Sequence, residues 1–484
     1  MILPSPQAAA PARVLLANIN RYDQPYPVYP LGLAYVDGAL RAAGHATWIW
    51  DACTDAASLE EAVAKFQPDF IGLSLRNIDT VQCMNPHSFV PELVEYCRRL
   101  RAVTHAPLIL GGSGFSIFPK ELFALAGVDY GIAGEGELPF VALLAALRSG
   151  TGPEAIPGVV CRSSTGSVSV SPCRLSGVFS GAPFHEPRVL QAYAQHGSLP
   201  GIQTQRGCPL KCCYCTYPVI EGRRSRFRSS DEIVDELRQL SAHGMRYAFF
   251  VDSVFNTKTS HVVKTCEAII RAKLDMQWEC FLRPGGITKD LLQLMQRAGL
   301  RHIEFGADSF SDTALDSYGK SFTFEEIREA SQLANSVGVQ YSHFLIFGGP
   351  GETPDTVEET LARAATLPAA FFFATIGMRI YPDTDLWKQL APEQQGETAA
   401  DYLVDPRFYL APGLTAEALH ARLRELQQTA SNWIVGDPPA AFSNALTKLR
   451  QRGVRGPMRE YVDLLQRLAM PPNSGRERRG IPAV

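Results

Sequence analysis

The sequence predicts an α/β protein made of two successive βα arrays followed by a mostly helical region. Three observations carry this. Apolar strand-like runs alternate with amphipathic helical segments from about residue 13 to 148, and again from about 201 to 385. Gly or Pro punctuates most of the changes between them. Beyond Pro382 the pattern turns helical. The expected divisions are a doubly wound domain over 1–150, a linker over 151–200, a partial (β/α)6 barrel over 201–385 and a helical cap over 386–484.

In the first array, strands are expected at Val14–Asn18, Thr47–Trp50, Phe70–Leu75, Leu108–Leu110 and Tyr130–Ala133, with helices such as Leu33–Ala43 between them. Five strands joined by helical crossovers imply a doubly wound sheet, which binds ligands beyond its strand C-termini. Four loops converge there: Tyr29-Pro30-Leu31-Gly32, Ser74-Leu75-Arg76-Asn77-Ile78-Asp79, Gly111-Gly112-Ser113-Gly114 and Gly134-Glu135-Gly136-Glu137. No G-x-G-x-x-G opens a helix after the first strand, which argues against a nicotinamide dinucleotide. In the linker, Val159–Cys161 and Ser167–Ser171 form a candidate hairpin.

The second array reads as six βα steps. Its strands are Gly201–Arg206, Tyr247–Val251, Gln277–Leu282, His302–Gly306, Gln340–Phe347 and Ala370–Ile380. Helix starts are marked by Ser229-x-x-Glu232, Thr323-x-x-Glu326 and Thr353-Pro354. Six steps are too few for a closed eight-fold barrel, so a lateral opening is expected. Ligands collect at the C-terminal ends of barrel strands. The tail should hold helices Ala416–Ser431, Pro439–Arg450 and Pro457–Leu468. Their arginines, Arg422, Arg424, Arg450, Arg452 and Arg455, read as a solvated face.

Composition narrows the class. Of 484 residues, 46% are hydrophobic and 20% charged, as in ordinary globular proteins. A net charge of −3 offers no basic field for nucleic acid. The N-terminus has no basic segment followed by an apolar core, and no apolar run is long enough to span a bilayer. A soluble, cytoplasmic protein is expected.

The chemistry is concentrated in Arg206–Pro218, RGCPLKCCYCTYP. Cys208, Cys212 and Cys215 are spaced C-x3-C-x2-C, with Tyr214 directly before the last. Three thiolates on one loop can hold three irons of a [4Fe–4S] cluster and leave the fourth open to a small molecule. A closed zinc site wants four ligands, and no second C-x2-C or H-x3-H is present. Cys213 is expected to face away and pack. The other seven cysteines, at 53, 83, 97, 161, 173, 266 and 280, read as ordinary buried thiols.

This stretch, on a barrel of this order, resembles the radical SAM superfamily, in which S-adenosylmethionine (SAM) occupies the open iron. The loops PLGLAY, GLSLRN, GGSG and GEGE, in that order, resemble the Rossmann-like cobalamin-binding domain that precedes many such TIM-type cores. Together they resemble the cobalamin-dependent radical SAM enzymes, mostly methyltransferases. The resemblance implies three cofactors: a [4Fe–4S] cluster on Cys208, Cys212 and Cys215, SAM, and cobalamin on Pro30, Leu31, Gly32, Ser74, Leu75, Arg76, Asn77, Asp79, Gly111, Gly112, Ser113, Gly134, Glu135, Gly136 and Glu137. Strand ends nominate SAM contacts: Asp252, Ser253, Arg283, Glu304, Asp308, Ser309, Gly349 and Gly351, although the same residue types also cap helices; Tyr214 of the cysteine motif is counted as a cofactor contact as well. GGPGET, from Gly348, looks like the glycine-rich turn common after the fifth strand of these barrels.

The D-x-H-x-x-G motif that gives cobalt a histidine is absent. Arg76 is the catalytic candidate: set under cobalt it has no lone pair to donate and disfavours a lower axial ligand. The tryptophan-methylating member of the family looks similar in this respect. A pairing of Arg76 with Asp79 or with a corrin amide is the other reading. The implied reaction moves a methyl group from SAM, through methylcobalamin, to a carbon of a small molecule, lipid or peptide, with a flavodoxin or ferredoxin as electron donor. Polar methylation of an aromatic carbon, a radical rearrangement or cyclisation, and a non-enzymatic corrinoid and cluster sensor are the alternatives.

Overall fold

The computed structural model describes residues 11–436, except 24–25, 164, 174, 176–178, 180 and 391–397, together with 448, 449 and 452. The N-terminal sheet contains β1 (Arg13–Asn18), β2 (Ala46–Asp51), β3 (Phe70–Ser74), β4 (Leu108–Gly111), β5 (Tyr130–Ile132), β6 (Val159–Arg162) and β7 (Val168–Val170). Its order is β2-β1-β3-β4-β5-β6-β7. The first five strands are parallel, as expected for apolar runs buried on both faces. The chain reverses strand order between β1 and β3, which places a ligand crevice at their C-terminal ends.

The segment read as a linker is more structured than expected. Its hairpin, β6 and β7, extends the N-terminal sheet antiparallel to β5. The helix Pro187–Gln195 then packs back onto that domain. Tyr193 donates its hydroxyl to Asp51 at 2.8 Å, and Asn18 donates to the same carboxylate at 2.8 Å. Val189, Leu190 and Tyr193 are almost fully buried, so this helix bridges the two arrays.

The second array forms β8 (Gly201–Ile202), β9 (Gln205–Arg206), β10 (Arg226–Phe227), β11 (Tyr247–Phe250), β12 (Gln277–Leu282), β13 (Leu300–Asp308), β14 (Gln340–Phe347), β15 (Phe371–Ile376), β16 (Met378–Arg379), β17 (Phe408–Tyr409) and β18 (Trp433–Val435). The main sheet runs β18-β15-β14-β13-β12-β11-β8, all parallel, with β8 and β18 as open edges. The open barrel is therefore as expected, but it has seven strands rather than six. The seventh comes from the tail, which was read as helical only. β18 follows the helix Ala416–Thr429 and lays Trp433 on Phe372, with ring centroids 4.6 Å apart.

Two expected strands are shorter than read. The first stops at Ile202 because Asp252 takes the next backbone donors: Thr204 N–H at 2.7 Å and Gln205 N–H at 3.0 Å. The chain then turns into the β9–β10 ribbon. The sixth breaks at Gly377, whose φ of +73° lies in the left-handed region. The helix starts match their sequence signals: Ser229 and Glu232, and Thr323 and Glu326, form reciprocal capping boxes. The expected helix Pro439–Arg450 lies almost wholly, and Pro457–Leu468 wholly, outside the described residues, as do Arg450 and Arg455.

Candidate active site

The cysteine loop is held from both ends and from behind. At its base Cys208 N–H donates to Gly222 O at 3.0 Å, and Gly207 N–H donates to the Glu221 carboxylate at 3.0 Å. Gly207 has φ +85°, and a Cβ there would lie 2.2 Å from Arg224 O. Within the loop Cys215 N–H donates to Cys212 O at 3.2 Å. Cys213 N–H donates to Tyr318 O at 3.0 Å, and the Cys213 side chain is buried, facing the packing as expected. Gly319 seats the turn after helix Asp312–Ser317 directly on Lys211, where a Cβ would meet Lys211 O at 2.3 Å.

Cys208, Cys212 and Cys215 lie near enough to act electrostatically on one another. Among the described residues no three His, Cys, Asp or Glu side chains could share one metal ion. A cluster takes each thiolate at a separate iron, so its ligands stand wider than the donors of a zinc ion, and the loop suits the former. Burial raises the Cys212 thiol and pushes Cys215 up to about 12. Lys320, which the sequence reading missed, acts the other way. Its buried ammonium hydrogen-bonds Cys212, pairs with Asp308 and reaches Gly306 O at 3.3 Å.

The residues nominated for SAM fall into two groups. Tyr214 donates to Asp308, so Tyr214, Asp308 and Lys320 meet at the cysteine loop. Asp308 has φ +65° at the end of β13, after a register shift that turns it there. Most of the others are tied into the protein itself. Asp252 is fully buried on Thr204 and Gln205, and burial pushes its carboxyl up to about 7. Ser309 bonds Thr360 at 3.2 Å. Arg283 N–H donates to Asn256, joining the ends of β11 and β12, and Ser253 is half-buried nearby in sequence. Glu304 is buried in mid-β13. Gly349 and Gly351 need their small size for protein packing: added Cβ atoms would lie 2.4 Å from Tyr318 and 2.3 Å from Ser317. Glu352 accepts Gly348 N–H behind that turn, and burial pushes its carboxyl up to about 7.

Between the two arrays lies a cavity of ≈560 Å³. Of the residues read as cobalamin contacts, Pro30, Leu31, Gly32, Ser74, Arg76, Gly111, Gly112, Ser113, Gly134, Glu135, Gly136 and Glu137 all line it. Leu75, Asn77 and Asp79 do not. Leu75 is buried beneath Gly112, and Asp79 pairs with Arg379. That pairing removes Asp79 as a partner for Arg76. The far wall is barrel: Gln203, Arg206, Tyr217, Glu221, Phe249, Val251, Glu279 and Phe281. Tyr217, two positions after Cys215, brings the cysteine loop to the cavity.

The acidic GEGE loop has a use the sequence did not disclose. Glu137 pairs with Arg206 at 2.5 Å, and Glu135 pairs with Arg206 at 3.4 Å and with Arg226. Arg206 also stacks on Phe179, 4.1 Å from the ring centroid.

The cavity suits a corrin on three counts. It runs down to Leu16, Gly72, Ile109 and Ile132 on the sheet, an apolar slot for an aromatic base. A Cβ on Gly32 would meet no protein atom within 4 Å and would stand in the open space. The half-buried Arg76 guanidinium forms no ion pair with a carboxylate among the described residues, and burial pulls its pKa down.

The remaining cysteines are all free thiols. Cys97, Cys161, Cys266 and Cys280 are buried, and Cys53 and Cys83 half-buried. Cys173 departs from the expectation: it is exposed, with its thiol turned back to Ala133 O at 3.0 Å.

Comparison with known proteins agrees with this architecture. Residues 21–144 match the B12 binding domain family and residues 202–364 the radical SAM superfamily. The tryptophan 2-C-methyltransferase of Streptomyces laurentii is 26% identical over 451 residues, covering 79% of this chain and 75% of that protein. The hopanoid C-3 methylase of Methylococcus capsulatus is 26% identical over 330 residues, covering 66% of this chain and 60% of the relative. The solved structure of the methyltransferase TsrM from Kitasatospora setae, with cobalamin and a [4Fe–4S] cluster bound, shares the fold: TM-score 0.82, 24% identity, 94% of this chain and 98% of that one. Among the described residues no helix is long and apolar enough to cross a membrane. With a B12-binding domain and a radical SAM domain in one chain, the protein belongs to the cobalamin-dependent radical SAM enzymes and is close to the methyltransferases among them.

Proposed function

We propose that this enzyme transfers a methyl group from SAM to a carbon atom of a small-molecule substrate. The observation that carries the reading is the shared cavity: Arg76 and the glycine loops form one wall, and Tyr217 and Arg206 of the cysteine-loop segment form the other. When bound, cobalamin supplies a methyl carrier and the cluster supplies an electron to SAM.

The chain's own residues then have distinct tasks. Cys208, Cys212 and Cys215 ligate the cluster. Gly111, Gly112, Ser113 and Gly134 let backbone approach the corrin. Arg76, on the cavity wall, would face a bound corrin and, having no lone pair to give, would offer the metal no protein ligand. Tyr214, Asp308 and Lys320 gather at the cysteine loop, where they would help to hold SAM beside the cluster. The Arg206 pairs with Glu135 and Glu137 hold the two walls in register. Phe249, Val251 and Phe281 keep water from the barrel side of the cavity.

An external one-electron donor such as a flavodoxin or ferredoxin completes the set, and a cytoplasmic location suits the free thiols and an oxygen-sensitive cluster. The test is metal analysis of anaerobically purified protein, then turnover with methyl-labelled SAM. About four irons and one cobalt per chain, with label in product, are expected. Four irons without cobalt, even after addition of hydroxocobalamin, would overturn the reading.

A further inference from the structure

The cysteine loop carries an exposed basic face. Pro209, Leu210 and Lys211 span the gap between Cys208 and Cys212, and Pro209 and Lys211 are exposed. Cys208 N–H is bonded to Gly222 O, and the next two residues, Arg223 and Arg224, are exposed. The helix Asp385–Gln389 docks on the same loop through Leu386 N–H, which donates to Cys213 O at 2.7 Å, and it presents Lys388 to solvent. These cations share one neighbourhood. Asp385 is held below the usual carboxylate range first by its hydrogen bond from Lys388, and further by the charges of Lys388, Arg223 and Lys211. Lys388 pairs with Asp385 at 2.9 Å, whereas Lys211, Arg223 and Arg224 form no ion pair among the described residues. Asp383 is exposed two positions before Asp385, and Glu221 is taken up by Gly207 N–H and Gln203. The face is therefore locally basic on a chain whose net charge is −3. Leu175, 38% exposed, sits beside Gly222, where an added Cβ would lie 2.4 Å from its side chain; with Pro209 it adds apolar surface among the cations. Leu175, Lys211, Arg223, Arg224 and Lys388 do not line the cavity between the arrays.

We propose that this face docks a small acidic one-electron carrier protein, of the flavodoxin or ferredoxin kind, directly against the loop that ligates the cluster. Opposite charge steers the carrier to the loop and fixes its orientation. Apolar contact at Leu175 and Pro209 within a charged rim holds it there. A patch of this size suits the brief encounter of an electron-transfer pair rather than a permanent complex. One electron leaves the reduced carrier and enters the cluster; at the interface no bond forms or breaks and no proton moves. Docking outside the cavity leaves the cavity to cobalamin, SAM and substrate. This deepens the proposed function and rests on it for the need of an electron donor.

The experiment titrates flavodoxin into the cobalamin-loaded, cluster-reconstituted protein and measures its affinity. It then follows cluster reduction by pre-reduced flavodoxin, and separately by dithionite, with freeze-quench electron paramagnetic resonance. Expected are saturable binding that weakens by about tenfold between low ionic strength and about 0.15 M salt, and by about tenfold again in the double variant Lys211→Glu, Arg223→Glu. That variant should keep its iron, be reduced by flavodoxin about tenfold more slowly and be reduced by dithionite as the parent is. Should it lose iron, Arg223→Glu with Lys388→Glu makes the same comparison farther from the cysteines. Arg98→Glu, an exposed cation on the N-terminal domain, should change nothing. Absence of saturable flavodoxin binding would overturn the dock. So would equal affinity in parent and patch variants, an equal loss in Arg98→Glu, or slowing by dithionite as well, which would put the defect in the cluster. An oligonucleotide that displaces flavodoxin and binds more tightly would give the face to nucleic acid instead. Flavodoxin bound at the patch with no label passing from SAM to any product would leave the dock standing and sink methylation.

Discussion

Asp79 and Arg379 form an ion pair at 2.9 Å with both side chains at most 1% exposed, one from the loop after β3 and the other from β16 beyond the barrel. Arg379 donates further to the carbonyls of Ile380, at 2.8 Å, and Tyr402. A buried charge pair adds little against an apolar replacement, but removing one partner strands the other. Arg379→Ala should therefore cost about 3–5 kcal/mol in denaturant unfolding. The double variant with Asp79→Ala should recover part of that loss. Additive losses would show that the pair is not coupled.

The four clustered cysteines should separate cleanly. Cys208→Ala, Cys212→Ala and Cys215→Ala should each lose most of the iron after anaerobic reconstitution. Cys213→Ala should keep it and lose only packing, about 1 kcal/mol. Iron analysis and the cluster's absorption decide. An iron-poor Cys213→Ala with native stability would move Cys213 into the ligand set.

Arg76→Ala should load cobalamin but change the cobalt absorption spectrum, because the lower face becomes open to water. The rate at which labelled SAM methylates bound cobalamin should fall by at least about tenfold, one factor of ten being ~1.4 kcal/mol of barrier. An unchanged spectrum together with unchanged methyl loading would remove Arg76 from the mechanism.

Lys320→Met should lower the reduction potential of the cluster while iron is retained. The buried ammonium beside Cys212 favours the more negative, reduced state, and cluster potentials follow local charge and hydrogen bonds to sulfur. A potentiometric titration followed by electron paramagnetic resonance reads this directly. An identical midpoint in both proteins would show that Lys320 does not tune the cluster and serves only Asp308 and the Gly306 carbonyl.

Asp252 and Glu352 predict a pH dependence. Burial pushes both carboxyls up to about 7, from ordinary values near 4. The folded state then binds more protons than the unfolded state between about pH 4 and 7. Their contribution is full below the unfolded values, is lost as pH rises through that window and is flat above it. For Glu352 the whole change is roughly 3 kcal/mol at most. Glu352→Gln should flatten the fall in unfolding free energy over that range. The same slope in parent and variant would remove Glu352 as its source.

What the sequence disclosed was what is local. The C-x3-C-x2-C spacing, the capping boxes and the ligand-side loops after β1, β3, β4 and β5 each sit within a few residues, and the structure places them as read. What it hid depends on distant partners. Lys320 arrives at the cysteine loop on a turn that only Gly319 allows. The glycines of the GGPGET turn looked free to meet a ligand, yet Tyr318 and Ser317 fill that space. Asp252 looked like a ligand contact and instead ends the first barrel strand. The acidic GEGE loop made sense only once Arg206 and Arg226 stood opposite it. β18 is three residues long, too short to register beside the helix before it.

That last strand has a consequence for how the protein is made. Phe372 and its neighbours on β15 leave the ribosome well before Trp433, the residue that covers them. The N-terminal sheet can complete itself early in synthesis, whereas the barrel edge waits for nearly the whole chain. A nascent barrel therefore shows an aromatic, unpaired strand edge to the cell, and a chain stopped short of Trp433 would keep that edge for good.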